Sequence, residues 1–598
     1  MSNEQKKIIP INYTATEFNS IRQELIQVAE RFYPDKFRDF SEASFGAMMV
    51  DAVAYVGDQL SFYLDYNVNE TFLDTAYQFN NVLRHGRIMG YKYTGPESSF
   101  GRVAIFIMVP ASSTGIGPDT RYIPILQVGT RFSSQTGVAF SLIENIDFSN
   151  PKNQVVVARV NTNTGAPTHY AIKAYGNVVS GVFGSETVSV GPFERFRRVR
   201  LSAANISEII SVVDTDGNEY YEVDYLSQDM IFKELANNNF KNDNVPSILK
   251  PYLVSRKFVM ERTRFNTYLQ FGSGDASQSN VVANPQEVAM DIYGKNYVTD
   301  MTFDPTRLSK NTSYGIVPAN TELIVSYRST STGNANLASY QLTSTSRVVA
   351  DFHDRRQLAD ATVSEVLESV EVTNEEPLVG SVTTPTTSEI KRRIYDTFPT
   401  QNRAVTKADY ESVAYRMPSK YGSIKRCSVQ RDPSSLKRNL NMYVISEDSF
   451  GKFTQSNTTI KNNLKTWLDN YRMISDTIDI LDGKILNFGI EFTVTPTTSV
   501  DKYTLLNRCV NHLAEKFSDG YYIGEAIYIS DIYTELKKVT GVLDVNSVKL
   551  VNKTGAQYSN IQININDNLS PDGTMVIMPK NVVAELKYPT DDIRGKVK

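Results

Sequence analysis

Residues 40–58 read FSEASFGAMMVDAVAYVGD, and their periodicity sets the structure expected for the N-terminal part of the chain. Apolar side chains recur at intervals of three and four positions, which is typical of an amphipathic α-helix. The pattern continues past residue 58 and predicts a helix over residues 41–66. The apolar stripe of this helix comprises Phe45, Met48, Met49, Ala52, Val53, Val56, Leu60, Tyr63 and Leu64.

One further helix is expected on each side of this one. Upstream, Thr14 and Glu17 have the spacing of a capping box, and apolar residues then recur at helical intervals until Pro34. Downstream, residues 70–88 continue the helical periodicity. The sequence therefore predicts an N-terminal helical region over residues 1–95.

The rest of the chain changes in character twice. Residues 96–350 contain short runs of β-branched and aromatic residues between turn signals, such as residues 154–160, which favours mainly β middle domains. Residues 351–400 are predicted to form a linker and a connecting helix, because residues 374–388 are rich in Pro and Thr. Helices and strands intermix over residues 401–598, and their order predicts C-terminal ferredoxin-like α+β units. The expected fold class is α+β and multi-domain.

Composition and charge limit the partners that the chain can have. Its 598 residues include 62 Lys and Arg against 66 Asp and Glu, which gives a formal net charge of -4. This balance supplies no global field for nucleic acid or for an anionic membrane. The polar N-terminus and the lack of an apolar run of about 20 residues predict neither a secretion signal nor a membrane anchor. We therefore expect protein partners and cytoplasmic assembly, with no nucleic acid, no membrane and no small-molecule substrate.

The sequence contains no local motif that predicts catalysis. Cys427 and Cys509 lie far apart and outside CxxC spacing, and none of the four histidines has HExxH spacing. A Walker loop and a GxSxG elbow are also missing. We expect no catalytic, cofactor-binding or metal-binding residue. A pair of acids from distant segments, as in a glycan hydrolase, stays open because such enzymes need no local motif.

The N-terminal helical segment and several later patches together resemble a known family. Residues 40–58 continue through Tyr63, Asn69, Glu70, Phe72, Leu73, Ala76, Gly90 and Tyr91, and they are similar to the N-terminal helical signature of baseplate J-like proteins. Further patches follow in the family's order at residues 128–132, 137–140, 271–274, 318–327 and 403–406, with Asp409 and Tyr410. One patch departs from the family pattern, since Ser273 stands where the usual Phe-Gly-Asp-Gly has its acid.

This resemblance implies a structural role and not an enzyme. Length and layout are most similar to the baseplate wedge proteins of T-even-like contractile-tailed phages. The resemblance implies a homodimer in the virion tail baseplate, which joins other wedge proteins and links neighbouring wedges into a ring around the tail tube. It implies no cofactor.

The apolar stripe of the second helix is the candidate partner interface. We expect it to be buried, either in the core of the N-terminal region or in a bundle with another wedge protein, because an apolar stripe of this kind normally faces a core. The residues expected at the interface are Phe45, Met49, Val53, Val56 and Leu60. Two alternative functions stay open: the equivalent baseplate component of a tailocin or secretion system, and a tail-associated glycan hydrolase or adhesin.

Overall fold

The computed structural model describes residues 16–33, 44–113, 116–236, 247–275, 314–330, 333–433, 435, 439–497, 500–517 and 520–598. Contacts within the chain divide it into two compact units. The helical unit contains residues 1–91 and 385–395, and the β-rich unit contains residues 92–384 and 396–598. An N-terminal helical region and a mostly β body are thus both present, as the sequence predicts.

Helices occur in both units. Their bounds are α1 (Phe18–Phe32), α2 (Phe45–Glu70), α3 (Phe79–Ile88), α4 (Asp360–Glu368), α5 (Thr387–Thr397), α6 (Lys407–Tyr415), α7 (Thr458–Asp469), α8 (Lys502–Phe517), α9 (Ile529–Lys538) and α10 (Pro589–Asp592). Helix α2 begins where Ser44 Oγ accepts a hydrogen bond from the N–H of Ala47 at 3.1 Å, as an N-cap serine does. The predicted second helix is confirmed with shifted ends, and the third is shorter than residues 70–88. Thr14 lies outside the described residues.

Helix α5 belongs to the helical unit over residues 387–395, although it follows the whole middle of the chain. Its side chains Ile390 and Ile394 are fully buried. A Cβ atom added to Gly86 on α3 would lie 2.9 Å from Ile394 Cδ1, so these two helices are in close contact. Lys391 Nζ also donates a hydrogen bond to the carbonyl oxygen of Asp74 at 2.7 Å. The N-terminal helices therefore share a fold with a helix from the predicted connecting region.

The strands lie in the β-rich unit. Their bounds are β1 (Phe100–Pro110), β2 (Ile125–Leu126), β3 (Arg131–Ser134), β4 (Ala139–Leu142), β5 (Ile146–Asp147), β6 (Gln154–Val160), β7 (Pro167–Ser180), β8 (Val182–Val190), β9 (Arg198–Arg200), β10 (Ile206–Asp214), β11 (Glu219–Glu222), β12 (Met230–Ala236), β13 (Ser247–Leu253), β14 (Lys257–Arg262), β15 (Thr267–Phe271), β16 (Thr321–Ser329), β17 (Leu342–Arg347), β18 (Ala350–Asp351), β19 (Glu371–Thr373), β20 (Arg426–Arg431), β21 (Asn439–Glu447), β22 (Phe453–Thr454), β23 (Thr477–Asp482), β24 (Lys484–Pro496), β25 (Ile527–Tyr528), β26 (Val542–Asn552), β27 (Met575–Val576), β28 (Val582–Glu585) and β29 (Ile593–Val597).

Two seven-stranded sheets form most of the middle of the chain. The first sheet has the strand order β17-β3-β4-β7-β1-β19, with β6 added beside β7. Its core includes Ile105, Phe132 and Ile172. The second sheet has the order β8-β16-β10-β11-β14-β15-β9 and packs around residues such as Phe258 and Val325.

The second sheet is inserted into the first. Strand β7 ends at Ser180 in the first sheet, and β8 begins at Val182 in the second. Gly181 makes this crossing with a φ of +112°, and a Cβ atom there would clash with the carbonyl oxygen of Ser329. Glycine alone adopts such a position without strain. The chain leaves the second sheet after β16 and returns to the first through β17.

Residues 374–384 have the composition of a linker, and residues 374 and 378–381 among them are buried in the β-rich unit. The side chains of Asn374, Val379 and Ser381 are at most 3% exposed. Leu337 and Leu378 exchange backbone hydrogen bonds of 2.9 Å in both directions. Main-chain groups of Leu378 and Val379 thus pair with distant segments as those of an extended strand do, and the linker over residues 374–388 stays a prediction.

Two α+β layers make up the C-terminal part. In the first layer, β21 pairs antiparallel with β20 and parallel with β23, and α6 and α7 contribute to the same core. In the second layer, β24 pairs antiparallel with β26 and parallel with β28 and β29, and α8 and α9 complete the core. The buried residues of this second core all come from residues 486–593. An α+β arrangement is thus present, and the ferredoxin-like assignment stays a prediction.

Replacing Ile394 with Ala should destabilise the helical unit. The change removes buried methyl groups at the contact between α3 and α5, at an expected cost of about 2–4 kcal/mol. Hydrogen exchange of the α3 amides, followed by mass spectrometry, should accelerate accordingly. As a control, Ile88→Ala truncates a side chain that is 85% exposed, and its exchange should match that of the wild type. Equal exchange in the two variants would show that the helical unit does not need α5.

Candidate protein interface

One side of α2 packs against α1 and consists of small residues. Ala47 and Ala54 lie on this side, and they are 1% and 0% exposed. A Cβ atom added to Gly57 would lie 3.3 Å from Ile21 Cδ1 on α1, so the two helices approach closely there. Small side chains allow this approach because the distance between packed helices depends on the side chains at the contact.

The predicted interface residues lie on the other side of α2 and are exposed. Phe45, Met49, Val53, Val56 and Leu60 are 73%, 48%, 51%, 55% and 58% exposed. At about 100° per residue they fall within an arc of roughly 80°, which is opposite the side that packs against α1. The described part of the helical unit therefore does not bury this stripe in its own core. Burial against a partner stays a prediction.

The exposed apolar surface of α2 is wider than the predicted stripe. It also includes Met48, Tyr55, Phe62, Tyr63, Leu64 and Val68. We call these residues and the five predicted ones the apolar face of α2. Together they cover more than half of the helix circumference at about 100° per residue. Asp51, Asp58 and Asp65 lie on the remaining side, where Asp51 forms an ion pair with Arg22 of α1.

The extent of the apolar face of α2 has a physical consequence. A helix that is apolar over so much of its circumference is normally covered on several sides. Contiguous exposed apolar surface is a common property of protein interaction sites. In the described part of the chain, no helix has both the length and the apolar character that crossing a bilayer requires.

Glu70 holds the turn between α2 and α3. Its carboxylate accepts hydrogen bonds from the N–H of Tyr77 at 2.7 Å, from the N–H of Gln78 at 3.1 Å and from Asn81 Nδ2 at 2.8 Å. These bonds keep residues 71–78 in a turn and leave α3 to begin at Phe79, because they occupy N–H groups that a continuous helix would use. Burial opposes the charge on Glu70, but the hydrogen bonds from Asn81, Tyr77 and Gln78 outweigh it and lower the pKa of this carboxyl.

Metal-ligating side chains are dispersed over the chain. The described residues contain no group of three or more His, Cys, Asp or Glu side chains that could hold a metal ion. His85 Nε2 lies 2.9 Å from the carbonyl oxygen of Glu70, and His512 Nε2 lies 2.8 Å from Glu535 Oε2. Burial raises the pKa of the Cys509 thiol to about 11. These contacts hold local structure.

The segment that contains α1, α2 and α3 matches a protein family. Residues 15–88 match the family described as bacteriophage baseplate protein, N-terminal domain. The match includes the whole apolar face of α2. The match covers 74 of the 598 residues and supports a relationship of this segment to bacteriophage baseplate proteins.

Comparisons over the whole chain show distant likenesses. A comparison with curated proteins finds no match. The cryo-EM structure of the anti-feeding prophage baseplate, 6-fold symmetrised, contains a chain that is 10% identical, with 96% of this chain and 90% of that chain covered and a TM-score of 0.24. The type VI secretion system TssK-TssF-TssG baseplate subcomplex contains a chain that is 8% identical, with 73% and 95% covered and a TM-score of 0.23. At TM-scores this low, neither likeness carries an argument about fold or function.

The lowered pKa of Glu70 predicts that stability depends on pH. A carboxyl whose pKa is lower in the folded state than in the unfolded state stabilises the fold above its unfolded pKa, and this contribution is lost as the pH falls through the folded pKa. Glu70→Gln should therefore destabilise the helical unit at pH 7 by about 1–2 kcal/mol. The difference from the wild type should shrink as the pH falls below roughly 4.

Urea unfolding of the wild type and of Glu70→Gln at neutral and acidic pH measures this difference. Glu30→Gln is the control, because Glu30 lies on the exposed side of α1. This control should change the free energy of unfolding little at either pH. An effect of Glu70→Gln that is equal at both pH values would contradict the explanation by charge.

Proposed function

We propose that the chain is a structural component of a contractile-tail baseplate wedge, of the baseplate J-like family and most similar to the wedge proteins of T-even-like phages. In this role it forms a homodimer, joins other wedge proteins and links neighbouring wedges into a ring around the tail tube. It assembles in the host cytoplasm and catalyses no reaction.

The apolar face of α2 carries this proposal. It lies inside residues 15–88, which match the baseplate domain, and its side chains are about half exposed or more in the chain by itself. Burying a Val, Leu, Met or Phe side chain contributes roughly 1.5–3 kcal/mol relative to leaving it in water. Partner helices with matching apolar stripes would therefore bind α2 strongly, as in other helix bundles. Phe45, Met49, Val53, Val56 and Leu60 are the proposed centre of this contact.

The remaining regions have proposed roles of their own. The mainly β domains of residues 96–350 act as a spacer, because packed sheets are stiff and transmit strain. The region of residues 351–400 connects this spacer to the C-terminal part. The α+β domains of residues 401–598, which we propose to be ferredoxin-like units, contribute self-contacts of the dimer. Two-fold contacts are the commonest arrangement in homo-oligomers.

Val53→Asp should leave the isolated chain folded and remove it from the baseplate. Val53 is 51% exposed, so an aspartate at this position stays hydrated and should change the free energy of unfolding by less than about 0.5 kcal/mol. In a helix bundle the same carboxylate would be buried without a partner, which costs several kcal/mol. Immunoblots and electron microscopy of particles from the producing strain should show baseplates that lack the variant.

Val128→Asp is the matched control for this experiment. Val128 is 47% exposed and lies outside the helical unit, so the same substitution should affect folding equally little. This variant should be incorporated at the wild-type level. Incorporation of Val53→Asp at the wild-type level would show that α2 is not the contact. Unfolding of the isolated Val53→Asp chain would show that the apolar face is packed within the chain.

The particle itself distinguishes the proposal from its closest alternative, the equivalent component of a tailocin or secretion system. Electron microscopy of particles that carry a labelled chain should locate the label at the tail baseplate. A capsid on those tails indicates a phage, whereas a sheath without a capsid indicates one of the other two assemblies. A label that is absent from the baseplate would contradict all three.

A tail-associated glycan hydrolase is the alternative of a different class, and enzyme assays separate it from a scaffold. The purified chain should release no soluble fragments from peptidoglycan or polysaccharide, because its sequence contains no nucleophile, metal or acid-base motif. Robust release that disappears when a single carboxylate is replaced would contradict the scaffold proposal. Retention of the chain on host cells without release would favour an adhesin.

A further inference from the structure

Strand β6 is an exposed edge strand rich in valine. Its sequence is QVVVARV, and every one of its residues is exposed. Val155, Val156 and Val157 are 47%, 60% and 48% exposed. Within the described residues, β6 pairs with β7 on one edge and with no strand on the other. An open apolar edge of this kind is a template for pairing with another strand.

The register of β7 shows which main-chain groups lie along the open edge of β6. Ser180 N of β7 donates to the oxygen of Ser99 on the β1 side, so the even-numbered residues of β7 face β1 and the odd-numbered residues face β6. Ala171, an odd-numbered residue, is opposite Val156. The N–H and C=O groups of Val156 therefore point to β7, and those of the valine on each side of it point outward.

Three other edge strands of the β-rich unit, β20, β26 and β9, carry protection against such pairing. On β20, the N–H of Val429 donates to Glu411 Oε1 of α6 at 2.8 Å. On β26, the N–H of Val548 donates to Tyr533 Oη of α9 at 3.1 Å. Strand β9 carries two exposed arginines. Capped or charged edges of this kind prevent unwanted association. Within the described residues, Val155, Val156 and Val157 of β6 have neither device, and the charged residue of the strand, Arg159, comes after them.

We propose that β6 pairs with β6 of a second copy of this chain, antiparallel about a two-fold axis at Val156. Each copy then sets Val155 opposite Val157 of the other copy. Roughly four main-chain hydrogen bonds join the first sheet of one copy to the first sheet of the other, because the outward-pointing residues meet as hydrogen-bonded pairs. The inference rests on the self-association proposed above and adds to it a contact in the middle of the chain.

The sequence of β6 is self-complementary in this register. The valines on either side of Val156 are symmetric about it, so β-branched side chains meet across the axis on both faces of the sheet. The pairing of β6 with β7 shifts register between Val157 and Arg159, so the regular two-fold register covers residues 155–157 of each copy. No charged residue lies within this stretch. A second copy supplies this match by symmetry, whereas an unrelated strand would need to match three consecutive valines by its own sequence.

The contact is small, which decides how it can be measured. The surface that a few valines and hydrogen bonds bury is well below the roughly 1,200 Å² that stable interfaces bury. Pairing through β6 is therefore weak between isolated copies and becomes strong where other contacts raise the local concentration. A covalent trap detects such a contact without requiring a stable dimer.

Disulfide trapping of Val156→Cys tests the pairing in the purified full chain. In the proposed register the two Cα atoms at position 156 are roughly 4.5 Å apart, as in other non-hydrogen-bonded antiparallel pairs, and a disulfide spans this distance. Cys427 and Cys509 are buried and contribute little background. Mild oxidation should give at least about ten times as much covalent dimer as in the control variant.

Val160→Cys is the matched control, since Val160 lies on the same strand and is 54% exposed against 60% for Val156. In the proposed register each position 160 lies four residues from the two-fold axis, on opposite sides of it, so the two Cα atoms are roughly 26 Å apart along the strands. They should therefore not cross-link. Val157→Pro added to Val156→Cys removes an outward N–H and should abolish the dimer, while the bonds of position 156 to β7 remain.

Two outcomes would overturn the inference. Equal dimer yields from Val156→Cys and Val160→Cys would exclude the two-fold register. No dimer from either variant would exclude a second copy as the occupant of this edge and would leave it to a strand of another protein. Both outcomes are independent of the proposed baseplate role, which is tested by the incorporation of Val53→Asp.

Discussion

The buried amide of Asn336 joins four chain segments that are far apart in sequence. It accepts hydrogen bonds from Ser99 Oγ at 2.6 Å and from the N–H of Ser381 at 3.0 Å, and it donates to the carbonyl oxygens of Ser381 and Glu447, both at 2.7 Å. The side chain is 1% exposed, so losing any one partner would leave a buried polar group unsatisfied. These hydrogen bonds form only when four segments have come together. The segments are the entry to β1, the return from the second sheet, the segment after β19, and strand β21.

That requirement follows from the nested path of the chain. The chain passes through the helical unit, the first sheet and the second sheet, and it then contributes again to the first sheet and to the helical unit before the C-terminal layers. Each region that the chain enters early is completed by residues that come late, as Ile390 and Ile394 complete the packing against α3. Contacts between residues so distant in sequence slow folding, because chain entropy is lost before they form. The first sheet and the helical unit are completed only after the inserted residues have been synthesised.

Local structure could be predicted from periodicity, whereas the surroundings of each element could not. The helical spacing of α2 and the β-branched content of β6 are local properties, and both elements lie where the sequence predicts them. Which side of α2 is covered depends on Ala47, Ala54 and Gly57, whose small side chains carry little weight in a hydrophobic pattern. The candidate interface was therefore predictable as an apolar face but not as an exposed one. In residues 374–384, composition describes side chains, while burial results from main-chain pairing with distant segments.

The two proposed contact surfaces, the apolar face of α2 and the open edge of β6, differ in the chemistry that each requires. The apolar face of α2 offers side chains around a helix, and the free energy of covering it depends on area and not on direction. The open edge of β6 offers N–H and C=O groups at a fixed spacing, which an extended strand in register satisfies and a helix does not. In the proposed assembly, the first surface would supply affinity and the second would fix relative orientation. Because partners that bind the folded state also stabilise it, a scaffold with both surfaces becomes more stable as it assembles.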